Sequence, residues 1–556
     1  MGHTGNGHTH DRWPDRGPVP SVVDTTVPDS ELTPDQLSRR AMLRRSGLLG
    51  AGLAVGGALG SGGTAAAQDD LAQPGKLRWL AGDHHIHTQY SADGKYRVVD
   101  HVRHADGYGL DWMVITDHGG PQHVRVGVER VHPEIVAARR EHQDVLVFQG
   151  LEWNVPAAEH GTVFVHPGPE EVAVLKEFES TFDGEVNGAT ASTPANEVLA
   201  ITALDFLADA LRRKRVDDAL FVANHPARRG MDSPHEIRAW RDAQPHLAVG
   251  MEGAPGHQAA SLPGPVGPGW WRGNYSSNAG PQSFPGYPPE SYRTFGGFDW
   301  MTATVGGLWD SLLAEGKPWW ITVNSDSHGV HLDTSRPGPG SDFEANGYLD
   351  DPVHGSTYNT LDGDYWPGQY SRTHVGAVRF SYRAVMDGIR AGRVWVDQGG
   401  LISGLDARLA SAAGAVTLGG ALSVRRGAEV RLVVDITLAN GPNWAQFTPA
   451  LSRVDVIVGD VLGAQADRDV FTTPNTRVVK SFEVNRSTGA VHLTYSLGRV
   501  DRPMYVRLRG TDGNRGAVGL LGADVDPNGP AMDPQGSVDP WMDLWFYSNP
   551  MWVLPA

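Results

Sequence analysis

The stretch best equipped for chemistry is Gly82-Asp83-His84-His85-Ile86-His87-Thr88, followed by Ser91-Ala92-Asp93-Gly94. It closes a short apolar run, Leu77 to Leu80, that reads as a strand. Side chains alternate faces along a strand, so His85 and His87 point the same way. Asp93 stands six residues further on, on a glycine-containing turn that can return to that face. Two imidazoles and a carboxylate aimed at one point are the beginning of a metal site.

The same residue types recur at the ends of other strand-like runs. His118 ends Ile115-Thr116-Asp117-His118, and Glu152 ends Gly150-Leu151-Glu152. His160 follows eight residues later, beside another run. His225 lies in Asn224-His225-Pro226, and Asp326 and His328 lie in Asn324-Ser325-Asp326-Ser327-His328. A single histidine at a strand end is ordinary. Nine His, Asp and Glu residues at the ends of successive strands indicate a shared metal cluster. The 556 residues include no cysteine, so thiolate sites, disulfides and cysteine nucleophiles are excluded. Ligands drawn from His, Asp and Glu suit zinc, manganese or iron.

Elements able to position these groups alternate from Lys76 to about Ser325. Strands are expected at 77–81, 112–116, 145–151, 162–166, 219–223, 247–251 and 319–323, from short apolar runs bounded by turn residues. Helices are expected at 98–108, 126–142, 199–213, 234–243 and 301–315. Alternation of this kind argues an α/β fold with a parallel sheet, and about seven strands favour closure into a barrel. Residues 253–298 interrupt the rhythm with Pro, Gly and aromatics, including Trp270, Trp271, Tyr275, Tyr287 and Tyr292, and read as a long loop over the site. After a polar stretch to about Arg372 and a helix at 384–391, the period changes. Short alternating strands such as 429–436, 454–458, 477–484, 490–495 and 504–509 read as an all-β sandwich. The expected division is an N-terminal region 1–67, the α/β domain 68–400, the sandwich 401–525 and an aromatic tail 526–556 that packs back on the rest.

The formal net charge of −17 argues against nucleic acid and anionic membranes as partners. Residues 1 to about 37 are polar, rich in Gly, Pro and Asp, and read as disordered. Ser38-Arg39-Arg40-Ala41-Met42-Leu43, Arg44-Arg45, a Gly/Ala/Leu run from Gly47 to Leu59, and Ala65-Ala66-Ala67 follow in the order of an export signal. The segment resembles a twin-arginine (Tat) signal, with cleavage after Ala67. That implies the Tat machinery as a partner, a secreted or cell-envelope location, and no stable membrane anchor after cleavage.

The order of motifs, D-x-H-x-H-T, S-x-D-G, T-D-H, G-x-E, a following His, H-P and S-D-x-H, resembles the polymerase and histidinol phosphatase (PHP) superfamily across residues 82–328. The usual Ser-Asp-Gly is here Ser91-Ala92-Asp93-Gly94, one residue longer. The resemblance implies a distorted seven-stranded β/α barrel and two to three divalent ions. His85, His87, Glu152 and Asp326 would hold the first. Glu152 would bridge to a second, completed by His225 and by His160, with His166 the nearby alternative. Asp93, His118 and His328 would hold a third. The helix ending Ala391-Gly392-Arg393, the sandwich and Ser548-Asn549-Pro550 further resemble the carbaryl-hydrolase-like branch.

Such a cluster implies hydrolysis by a metal-bridging hydroxide, with a metal neutralising the charge that develops. Arg228 and Arg229, just beyond Pro226, are candidates for binding a phosphate, and Lys95 and Arg97 are weaker ones. His257 is a candidate acid for the leaving group, and Glu252 a support for the ligands. The favoured reading is an exported phosphoesterase acting on a small phosphate mono- or diester. A hydrolase of carbamate, ester or amide bonds is the alternative, favoured if Trp270, Trp271 and Tyr275 wall an apolar pocket. A non-catalytic secreted binding protein is the third reading.

Overall fold

In the computed structural model, the structure describes residues 77–256, 279–359, 362–484, 486–513 and 540–556. Residues 77–556 form one compact unit. The segment expected to be an export signal, His257, Trp270, Trp271 and Tyr275 lie outside the described residues.

Strands and helices alternate through the first part: β1 (Arg78–Asp83), α1 (Val98–Gly107), β2 (Trp112–Ile115), α2 (His123–Glu141), β3 (Leu146–Asn154), β4 (His160–Val165), α3 (Glu171–Phe182), α4 (Pro194–Arg212), β5 (Ala219–Ala223), α5 (Pro234–Ala243) and β6 (Ala248–Ala254). Then come α6 (Trp300–Ala303), α7 (Leu308–Leu313), β7 (Trp320–Val323), β8 (Ser371–Ala377), α8 (Tyr382–Arg390) and β9 (Val394–Gln398). Local chemistry sets several boundaries. Ser233 caps α5, Pro234 occupies its first turn, and Glu236 completes a capping box. Thr193 and Ser381 cap α4 and α8 by accepting from Asn196 N–H and Ala384 N–H. The single helix expected at 301–315 is two short ones. Gly306, at φ +75°, and Gly307 separate them, and Gly306 N–H donates to Asp310.

The sheet is mixed, not parallel. β1, β2 and β3 run parallel, as do β5, β6 and β7, but β4 is antiparallel to both β3 and β5, and β8 is antiparallel to β1. The strand order β9, β8, β1, β2, β3, β4, β5, β6, β7 leaves β7 at an edge, and no closed sheet forms among the described residues. Side chains satisfy part of that edge. Thr373 Oγ1, from β8, lies 2.8 Å from Val323 N and 2.7 Å from Val323 O. Asn549 accepts from Ile321 N–H (2.9 Å) and donates to Ile321 C=O (3.3 Å). These bonds stand where a neighbouring strand would otherwise be needed.

The C-terminal region is β-rich: β10 (Ile402–Ser411), β11 (Gly414–Thr417), β12 (Ala421–Val424), β13 (Ala428–Leu438), β14 (Arg453–Asp460), β15 (Arg477–Glu483), β16 (Ala490–Val500), β17 (Met504–Thr511), β18 (Trp545–Ser548) and β19 (Met551–Pro555). β11, β10, β13 and β16 form a four-stranded sheet. Its inner residues Leu405, Leu409, Leu432 and Val434 share a core with Val456, Leu508, Phe546 and Val553 of the larger sheet. β18 pairs with β9 on one side and β17 on the other, so the chain's aromatic end joins the two regions through backbone hydrogen bonds. Buried Arg507 adds an ion pair to Asp310 on α7, 2.7 Å from Nη2. No described helix is long and apolar enough to cross a membrane.

Candidate metal centre

The C-terminal ends of β1, β2, β3, β5 and β7 face one side of the sheet. Antiparallel β4 brings its first residue, His160, to the same side, where it pairs with Asn154 at the end of β3. His166, past the far end of β4, lies against Pro167 O, Asp217 and Tyr382, away from the cluster. An antiparallel strand therefore separates two histidines that the sequence alone leaves as alternatives.

Glu152 is the hub. Its Oε1 lies 3.0 Å from His85 Nε2, 3.1 Å from His225 Nε2 and 3.1 Å from His160 Nδ1. Its Oε2 lies 2.7 Å from His118 Nδ1 and 3.4 Å from His87 Nε2. Asp326 Oδ1 stands 3.2 Å from the Nε2 atoms of both His85 and His87. Asp93, more exposed, stands 3.5 Å from His118 Nε2 and 3.6 Å from His328 Nε2. His328 stacks on His87 at 3.8 Å between ring centres. All nine sequence candidates thus fall in one connected cluster. Three overlapping groups of these donors, and a fourth that adds Glu159 to His160 and His225, each have ligand atoms within 4.8 Å of one another.

The surroundings test whether these donors fit a metal. His85 Nδ1 faces Glu252 Oε1 at 2.7 Å, His87 Nδ1 faces Ser91 Oγ at 2.9 Å, and His328 Nδ1 faces its neighbour Asp326 O at 2.8 Å. Each outer nitrogen is held by an oxygen, and the Nε2 atom is turned to the cluster. This is how metal-binding imidazoles are oriented. His85 Nε2 and His87 Nε2 approach to 2.9 Å. His160 Nδ1 meets Glu152 Oε1 without hydrogen-bond geometry. Imidazole nitrogens and carboxylate oxygens packed this closely around one point share a common target, and such a set fits divalent cations.

Supporting groups fix the ligand-bearing turns. Asp83 accepts from His85 N–H (3.1 Å) and Ser325 N–H (3.0 Å), tying two of them together. Glu252 accepts from His225 N–H with its second oxygen (2.6 Å). Asp364 accepts from His328 N–H and Gly329 N–H. His225 and Asp326 themselves have left-handed backbones, φ +29° and +45°. Such conformations are costly outside glycine and gather at functional sites.

Burial opposes charge on Glu152, but His160, His85 and His118 outweigh it and hold the carboxyl well below the usual range. Burial also opposes protonation of His85, yet Asp326, Glu152 and Glu252 lift it well above the ordinary imidazole value. Burial, reinforced by His328 and His118, keeps His87 well below it. Against burial and Arg228, Glu152 and Glu159 raise His225 to about 9.

Above the cluster lies a cavity of about 260 Å³ lined by Asp93, His118, Arg228, His328, Asp362 and Asp364, among others. No Phe, Tyr or Trp lines it among the described residues. Arg228 reaches it while held by Glu159. Arg229 is half exposed, touches the other oxygen of Glu159 and is not part of the lining. Lys95 pairs with Asp362, and Arg97 pairs with Asp100 outside the site. Sequence reasoning missed Glu159, Asp362 and Asp364. Glu159 adjoins His160, which was a usable signal. The two aspartates sit in a polar loop whose place at the cavity is decided by tertiary contact.

Residues 83–220 match the family model of the PHP domain. The match holds His85, His87, Asp93, His118, Glu152 and His160. His225, Asp326 and His328 lie beyond the matched residues and reach the same cluster from the ends of β5 and β7. Among solved structures, the chain is similar to a two-domain protein of Bacteroides vulgatus containing a predicted PHP-like metal-dependent phosphoesterase. The identity is 13%, the coverage 78% of this chain and 91% of that one, and the TM-score 0.31. It is also similar to a candidate metal-dependent phosphoesterase of Bifidobacterium adolescentis, at 15% identity, 44% and 87% coverage and a TM-score of 0.21. No curated protein matches the chain.

Proposed function

We propose that this chain is an exported metal-dependent hydrolase of small phosphate esters. The observation that carries the reading is the union of Glu152, shared by five imidazoles, with Arg228 at the mouth of a small polar cavity. In this reading His85, His87, Glu152 and Asp326 hold one ion, Glu152, His160 and His225 a second, and Asp93, His118 and His328 a third. Zinc, manganese or iron bound there would activate water and offset negative charge on the substrate. Arg228 offers a fixed guanidinium to an anionic phosphoryl group. Glu252, Ser91 and Asp83 keep the imidazoles and their turns in register, so little reorganisation is needed as charge develops. The 260 Å³ cavity suits a small ester. We further read the α/β part as a distorted barrel, with Thr373 and Asn549 bridging β7 to the opposite side of the sheet. Export rests on the twin-arginine pattern, and fractionation of expressing cells tests it. Recovery of uncleaved protein in the cytoplasm alone would refute that part.

A panel of nitrophenyl phosphate, bis-nitrophenyl phosphate, nitrophenyl acetate and an aryl carbamate, assayed after metal reconstitution, tests the activity. Turnover of a phosphate substrate well above the other two is expected. Preference for the acetate or carbamate would replace the reading with the alternative hydrolase, and turnover of none would remove it.

A further inference from the structure

Glu159 is fully buried, yet one carboxylate serves three nitrogen-bearing side chains. Its Oε2 lies 3.1 Å from Arg228 Nε, 3.0 Å from Arg228 Nη2 and 3.3 Å from His225 Nδ1. Its Oε1 lies 3.2 Å from Arg229 Nη1. The backbone of Glu159 is fixed at both ends: its N–H donates to buried Asp232 (2.9 Å), and its C=O accepts from Val155 N–H (3.0 Å). The far side of His225 is Nε2, beside Glu152, and Arg228 lines the cavity.

We propose that Glu159 is a positioning residue that couples the metal-holding face of His225 to the substrate-facing guanidinium of Arg228. The substrate half of this inference rests on the phosphoester reading above. At 3.3 Å and without hydrogen-bond geometry, the carboxylate acts on Nδ1 through its charge, which favours the tautomer protonated there and leaves the Nε2 lone pair turned to the cluster. The same carboxylate offsets the charge of Arg228, which otherwise would stand uncompensated beside a cationic centre. Holding the guanidinium along its Nε and Nη2 edge fixes its plane and leaves the Nη1 donors for an incoming anion. Glu159, His160 and His225 also offer ligand atoms within 4.8 Å of one another, so direct coordination is the competing role.

Titration of metal-free protein with Mn²⁺ against a chelating indicator, and of Mn²⁺-loaded protein with inorganic phosphate, separates these roles. Glu159→Gln is expected to bind one Mn²⁺ about ten-fold more weakly at unchanged stoichiometry, the low end for losing a carboxylate behind a ligand. It should also weaken phosphate binding. Arg228→Ala should weaken phosphate binding with Mn²⁺ affinity intact, and the double variant should bind phosphate no more weakly than Arg228→Ala alone. Glu159→Asp, which keeps the charge, should retain more of both affinities than Glu159→Gln. Loss of one Mn²⁺ from the stoichiometry of Glu159→Gln, a further drop in phosphate affinity in the double variant, or unchanged affinities would each overturn the coupling. If circular dichroism shows Glu159→Gln unfolded, Glu159→Asp decides: it must weaken both affinities, and an effect on neither or on one alone overturns the proposal. Wild-type protein that binds Mn²⁺ and ignores phosphate would overturn the functional reading and the coupling together. Phosphate binding by wild type with unaltered Glu159 variants would overturn the coupling alone.

Discussion

Gly256 lies against Asp326 so closely that a Cβ on the glycine would stand 2.2 Å from the Cβ of Asp326 and 2.6 Å from Ser325 O. Gly256 is also at φ +41°. The turn after β6 thus supports the turn after β7 that carries a candidate ligand. Gly256→Ala should displace Asp326 and cost about 1–2 kcal/mol in backbone strain. Elemental analysis should show less than the wild-type metal content, with phosphate-ester turnover down at least about ten-fold. Full metal content and full rate in this variant would show that the close approach is unimportant.

Glu152→Gln removes the negative charge at the centre of five imidazoles. Bound metal should fall sharply, and turnover should drop by about a thousand-fold, the scale of losing a central electrostatic group. Retention of two or more ions per chain would contradict the role of Glu152 as the shared ligand.

Metal removal should destabilise the fold. Buried donors left without a cation repel or lack partners, and a ligand that binds only the native state adds stability by mass action, about 2.7 kcal/mol at a hundred times Kd. Dialysis against a chelator should lower the melting temperature, and added Mn²⁺ or Zn²⁺ should restore it in a concentration-dependent way. A melting temperature indifferent to both treatments would rule out a bound metal centre.

The α5 capping box predicts a pH effect remote from the cluster. Burial, opposed by the Ser233 hydrogen bonds, pushes Glu236 up from 4.5 to about 7. The folded state therefore binds this proton more tightly than the unfolded chain. Stability is lost as pH rises from about 4.5 through 7, at up to about 1.4 kcal/mol per pH unit, and the loss is complete above 7. Glu236→Gln keeps an acceptor for Ser233 and removes the titration. Its melting temperature relative to wild type should rise between pH 5 and pH 8, whereas a constant difference would contradict the assignment.

Asn549→Ala leaves Ile321 N–H and C=O without these partners at the β7 edge. A loss of about 1–3 kcal/mol is expected for buried backbone groups so exposed. Chemical denaturation measures it, and a change under about 0.5 kcal/mol would mean that another group takes the place of Asn549.

Periodicity located elements well where one face is buried and the other is not. Pro234–Ala243 begins and ends as its capping residues dictate, and the β-rich strands near 429–436 and 504–509 extend only a few residues beyond their alternating cores. Strand direction was another matter. The run 162–166 reads equally well in either orientation, because alternation is the same in both. Only the pairing of β4 between β3 and β5 makes it antiparallel. The helix Glu171–Phe182 was missed, though its buried Val174, Leu175 and Phe178 follow helical spacing.

Residue type and order alone identified the cluster's chemistry: His85, His87, Glu152 and Asp326 are donors whatever the fold, and the absence of cysteine confines any metal to nitrogen and oxygen ligands. Which donors meet is a property of three dimensions. His160 joins the cluster and His166 does not because an antiparallel strand separates its two ends in space. Glu159 gains its place because a turn in the chain brings a carboxylate between His225 and Arg228. Asp364 gains its place because a loop more than thirty residues beyond His328 returns to bind that histidine's N–H. Sequence spacing reports neighbours within an element, whereas contacts between elements depend on strand direction and loop path, which local propensity does not encode.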